Sequence, residues 1–129
     1  IEALEWAQAM GGRKAMFERA DANAKIVKDW IEATPWLRNM VSDPAKQTNT
    51  GVCFVFQGDW YESLSDEDKA GVPKKIVKLL EERDVGYDFN GYRDAPPSLR
   101  IWCGGTVEQE DLKRLLPWIE WAYETVKNG

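Results

Sequence analysis

Val52-Cys53-Phe54-Val55-Phe56 is an unbroken β-branched and aromatic run bounded by glycines at 51 and 58, and it reads as a central strand. A second run, Leu99-Arg100-Ile101-Trp102-Cys103, alternates instead. Side chains alternate across a strand, so Leu99, Ile101 and Cys103 share one face, a core face, and Arg100 and Trp102 share the other. Between the two runs, Ile76, Val77, Leu79 and Leu80 mark a helix running to about Asp84. Pro73 sits near its start, where a missing amide costs little. Two further strands are expected, at Trp36–Val41 before the first run and at Tyr87–Phe89 before the second. The polar stretch Ser42–Gly51 is a loop.

The flanks are helical. Residues 1 to 10 suggest a short helix ended by Gly11-Gly12, and a longer one runs from about Arg13 to Ala33 until Thr34-Pro35 stops it. At the other end, Thr106 with Gln109 matches a capping box. Leu112, Leu115, Leu116, Ile119, Tyr123 and Val126 then continue one apolar stripe, in which Pro117 predicts a kink or a break. The order α-α-β-β-α-β-β-α predicts an α/β domain of α+β type. It has a small, mainly antiparallel sheet with helices packed on one face and N-terminal helices leading in.

Composition agrees with one globular unit over residues 1–129. At 43% hydrophobic with seven tryptophans, the chain can bury a core. Trp6, Trp30, Trp36, Trp118 and Trp121 read as core or interface surface. A net charge of −5 argues against a nucleic-acid or anionic-membrane partner. No apolar run approaches the roughly 18 to 20 residues of a membrane helix, and the start does not read as a secretory signal. The opening on Ile1 in mid-pattern suggests a cut from a longer protein.

The chemistry-bearing inventory is short. There is no histidine, and the two cysteines, Cys53 and Cys103, fall in expected strands. They read as small core residues of a reducing compartment such as the cytoplasm, with a disulfide between neighbouring strands as the alternative. No metal site is expected from so few soft ligands. Asp59, Glu62, Asp66, Glu67 and Asp68 lack a calcium-loop pattern and read as a solvated acidic linker. Gly104-Gly105 reads as a helix-entry turn. No nucleophile–base pair can be assembled. That leaves Arg100, an outward planar fork suited to a carboxylate or phosphate, or to an ion pair with a nearby Asp or Glu. Arg93, beside Tyr92, would stiffen a positive corner around Pro96-Pro97.

The run Gly91-Tyr92-Arg93-Asp94-Ala95-Pro96-Pro97-Ser98-Leu99-Arg100-Ile101-Trp102-Cys103-Gly104 resembles the C-terminal signature of the phosphoserine aminotransferase family. Ile1–Gly12, Arg19–Trp36, Thr48–Phe54 and Leu115–Trp118 agree with it in the same order. The resemblance implies the C-terminal small domain of a fold-type-I, pyridoxal-phosphate-dependent transaminase of serine biosynthesis. That enzyme interconverts 3-phosphohydroxypyruvate plus glutamate with O-phosphoserine plus 2-oxoglutarate. It implies homodimers and a large domain, absent here, that carries the Schiff-base lysine, so no catalytic residue is expected in this chain and the fragment alone should be inactive. By position, Arg100 matches the arginine that holds the substrate α-carboxylate, and Arg93 a basic residue near the substrate phosphate or side-chain carboxylate. Tyr92 stands where many members have histidine, and Ser98 where a glycine is common. Two alternatives remain: the small domain of another fold-type-I transaminase, or a free-standing amino-acid-binding module.

Overall fold

In the computed structural model, which describes residues 1–129, the central run forms β2 (Gly51–Phe56), with β1 (Leu37–Asn39) and β3 (Ser98–Trp102) on either side. Both pairings are antiparallel, in the order β1-β2-β3. The register sets Leu37 opposite Phe56, Phe54 opposite Leu99, Val52 opposite Ile101 and Cys53 opposite Arg100. Around the sheet lie α1 (Glu2–Ala9), α2 (Gly12–Ala33), a short α3 (Asp59–Glu62), α4 (Asp66–Glu82) and α5 (Gln109–Asn128).

The alternation expected of the strands holds. Leu37, Val52, Phe54, Phe56, Leu99, Ile101 and Cys103 are buried in one core with Val27 and Ile31 of α2, Ile76 and Leu80 of α4, and Ile119 and Tyr123 of α5. Trp36 stacks on Tyr123 at 3.7 Å between ring centroids, closing the core at one end. Trp30, Trp36 and Trp121 pack on the core, whereas Trp6 and Trp118 are exposed on the surface. No helix is long and apolar enough to cross a membrane.

Several expectations are corrected. Tyr87–Phe89 is no strand, and the sheet has three strands rather than four. Asp88 has φ +61°, a left-handed backbone that breaks strand geometry, so only a bridge from Asn90 to Leu99 remains. The helix around Pro73 begins earlier, at Asp66, where the Ser65 hydroxyl accepts the Asp68 amide at 3.1 Å. The supposed acidic linker is therefore helical: Asp66, Glu67 and Asp68 form that helix's first turn, where negative charge complements the helix dipole, and Asp59 and Glu62 lie in α3. Pro73 lies well inside, and the carbonyl it leaves free, that of Lys69, faces the Tyr61 hydroxyl at 3.5 Å. Pro117 does not divide α5 in two. It sits on the exposed face, where water can satisfy the Lys113 carbonyl it frees.

The capping box at Thr106 does not form either. Residue Glu108 is the N-cap of α5, and its side chain pairs with Arg19 at 2.8 Å instead of capping the helix. Asn23 of α2 donates to the Gly104 and Val107 carbonyls at 3.1 and 2.9 Å, and Arg19 Nε donates to the Gly105 carbonyl at 2.7 Å. The turn is thus tied down by α2 from outside, and a Cβ at Gly105 would come within 2.9 Å of the Met16 carbonyl oxygen. Gly104-Gly105 is indeed a helix-entry turn, kept small so that α2 can approach.

Finally, the two cysteines do not share a face. Cys103 is in the core and Cys53 is half-buried on the other side of the sheet, and both are free. Opposite sides of one sheet cannot be bridged without moving backbone.

Candidate functional site

Strand β3 is an edge strand, and its odd-numbered side chains carry the core contacts. Arg100 is therefore delivered to the outer face by the same alternation that buries Leu99 and Ile101. Its amide donates to the Phe89 carbonyl at 2.9 Å, which fixes the segment before β3 alongside it. That segment brings Asp88 to the guanidinium: Arg100 Nη2 to Asp88 Oδ2 is 3.0 Å. From the other side Tyr92 lays its ring against it, with Arg100 Cζ 4.9 Å from the ring centroid. Cys53 is directly across the ladder.

The electrostatics follow from these neighbours. Tyr92 first, and then the Asp88 charge, hold the guanidinium more firmly in its charged form than usual. Burial pushes the Cys53 thiol up, partly offset by Arg100 across the ladder. Cys53 is thus no activated thiolate. On the core side, burial raises the Cys103 thiol to about 11.

Arg100 also lines a cleft of about 450 Å³ at the open edge of β3, between the segment around Asp88 and the start of α5. Its walls are mostly apolar, including Val85, Trp102, Leu112 and Leu115, and Arg100 is the only cation among its lining residues. A single fork-shaped cation on a half-dry wall can grip one carboxylate or phosphate through paired hydrogen bonds. The titratable groups beside it are the Asp88 carboxylate, already paired with the guanidinium, Asp111 in the cleft wall, and the Cys53 thiol, which burial keeps protonated.

The three residues singled out from sequence are placed differently. Arg100 and Tyr92 are brought together. Arg93 is exposed, in the turn closed by Ala95 N to Tyr92 O at 3.1 Å, and belongs to none of the chain's ion pairs. Reasoning from sequence missed Asp88, which is 12 residues from Arg100 along the chain. No periodicity or motif marks it.

The chain was also compared with known proteins. No protein-family model matches it. A phosphoserine aminotransferase of Methanosarcina barkeri is 39% identical over 127 residues, covering 98% of this chain and 32% of that protein. Its counterpart in Methanosarcina mazei is 38% identical over the same length. By sequence, nearly the whole of this chain is similar to part of these phosphoserine aminotransferases. A more distant one, from Phocaeicola vulgatus, is 28% identical over 116 residues. Among solved structures, phosphoserine aminotransferase from Bacillus circulans subsp. alkalophilus superposes with a TM-score of 0.72 over 94% of this chain. At 18% identity that match establishes the fold alone, a small three-stranded α+β unit. The chain spans about a third of the length of the phosphoserine aminotransferases it matches.

Whether this chain could hold a pyridoxal cofactor is a question of its lysines. None of them is buried, so none offers an amine in a dry pocket, and the residues present do not fit the cofactor's anchoring.

Proposed function

We propose that this chain is the C-terminal small domain of a cytoplasmic phosphoserine aminotransferase of serine biosynthesis. What supports the reading is an identity near 39% sustained over 98% of the chain. On this reading the whole enzyme is a pyridoxal-phosphate-dependent homodimer exchanging an amino group between glutamate and 3-phosphohydroxypyruvate. The cofactor, its lysine and the bond-making steps belong to a large domain outside this chain. The small domain contributes binding.

Arg100 is the residue assigned to the substrate α-carboxylate. Its position fits that role physically: the core side of β3 fixes its backbone, Tyr92 orients its guanidinium plane, and the fork opens on a cleft. Arg93, free of internal partners, is assigned to the phosphate or side-chain carboxylate. Tyr92 acts through Arg100, in place of the histidine common at that position.

The test uses the full-length protein that contains this chain. Arg100→Ala should raise KM for both glutamate and O-phosphoserine by about tenfold or more, since a hydrogen bond to a charged group is worth roughly 1.5–3 kcal/mol. Unchanged KM values would remove Arg100 from the site. The 129-residue chain alone should neither acquire the visible absorbance of a lysine-bound pyridoxal nor transaminate. Tight amino-acid binding by the isolated chain, read by calorimetry, would favour a free-standing binding module instead.

A further inference from the structure

The guanidinium of Arg100 is already occupied. Asp88 reaches it from the segment between α4 and β3, in which Asp84 and Asp88 both adopt left-handed backbone, with φ +53° and +61°. The two partners are unequal: the Arg100 side chain is 24% exposed, the Asp88 side chain 84%. One member of the pair is held by the sheet and by Tyr92, and the other stands in solvent.

Stacking on Tyr92 and the anchored strand already orient the guanidinium, so Asp88 is not needed to aim it. What Asp88 does change is charge. A cation neutralised by a carboxylate at 3.0 Å is a weaker receptor for a second carboxylate, which would face like charge as well as the fork. Asp111 lines the same cleft, so Arg100 is outnumbered there. Exchange is nonetheless cheap, because water competes for an ion pair with one exposed partner.

We propose that Asp88 is a built-in placeholder. Its carboxylate holds Arg100 when no ligand is present, and a carboxylate ligand binds by taking its place. This rests on reading Arg100 as a carboxylate clamp, and it adds a regulation of that clamp: the chain carries its own competitor, which lowers affinity for every carboxylate ligand.

The experiment compares Asp88→Asn, Asp84→Asn and Arg100→Ala in the full-length protein, with L-glutamate and O-phospho-L-serine as probes. Asparagine tolerates left-handed backbone, so Asp88→Asn removes the charge without forcing the loop to refold. KM for both probes should fall about two- to fivefold in Asp88→Asn, the equivalent of the roughly 0.5–1 kcal/mol such a pair contributes. The turnover number should move less than KM. Asp84→Asn, on the same segment and with a side chain that accepts only from the Tyr87 hydroxyl, should leave KM unchanged. A higher or unchanged KM in Asp88→Asn overturns the placeholder, the higher value meaning that Asp88 buttresses Arg100. An equal fall in Asp84→Asn also overturns it, since the effect would then be bulk charge. If Arg100→Ala leaves KM unchanged, the clamp itself fails, and that outcome is distinct from the others.

Discussion

The two faces of the β2–β3 ladder share one backbone and differ in almost everything else. On the inner face, Val52, Phe54, Leu99 and Ile101 are each at most 2% exposed and interlock with three helices. On the outer face the Val55–Ser98 pair at one end is still buried, but Cys53 is half-buried, Trp102 is 58% exposed, and Arg100 is held by one carboxylate and one aromatic ring. The inner face is determined by dense packing, where every neighbour constrains every other. The outer face is determined by a few polar contacts to loops, and those contacts can be exchanged. The packing that stabilises the domain therefore lies on one side of a five-residue strand, and the proposed ligand site on the other.

The largest test of this division is deletion from each face. Phe54→Ala should cost about 3–5 kcal/mol in urea-induced unfolding, through lost transfer energy and the cavity left behind. Trp102→Ser on the outer face, where the residue is 58% exposed, should cost about 1 kcal/mol or less, little more than an ordinary surface substitution. Comparable losses from the two would abolish the distinction.

A second test uses the two thiols as reporters. Cys103 is raised to about 11 from the ordinary 9.0 by burial, so the folded state keeps its proton where the unfolded state has lost it. The stability this confers is complete below about pH 9 and is lost as pH rises from about 9 to about 11. At 1.36 kcal/mol per unit, its full size is on the order of 2–3 kcal/mol. Wild type should lose that much more stability than Cys103→Ala over this range, because other titrating groups cancel in the difference. Equal pH dependence would mean that the inner face admits water.

The smallest effect concerns rates rather than stability. In the folded chain a maleimide should modify Cys53 well before Cys103, with both reacting alike in denaturant; mass spectrometry of tryptic peptides separates the two. Labelling of Cys103 first would invert the assignment of faces.

Much of the inner face was legible in the sequence, and the reasons are local. The continuous run at 52–56 and the alternation at 99–103 each predict a strand without reference to the rest of the chain. The stripe through Leu112, Leu116 and Ile119 likewise specifies which side of α5 is buried. The misreadings share one cause. Tyr87–Phe89 has strand composition but yields to the left-handed backbone at Asp88, which only the tertiary path around Arg100 requires. Thr106 and Gln109 have the spacing of a capping box, yet Arg19 and Asn23 of α2, more than 80 residues away, hold that turn instead. Pro73 looked like a helix start because nothing nearby shows that Tyr61 faces the carbonyl it frees.

The candidate site divides the same way. That Arg100 points away from the core follows from the sequence alone, because side-chain alternation is a property of the extended backbone. The family resemblance, carried by Gly91–Gly104, is equally a property of the sequence. That Arg100 is neutralised by Asp88, backed by Tyr92 and set beside an apolar cleft was decided only by the tertiary structure. Those contacts join residues whose approach depends on how a loop closes over a sheet edge, and loop closure is governed by the whole fold rather than by the residues in contact.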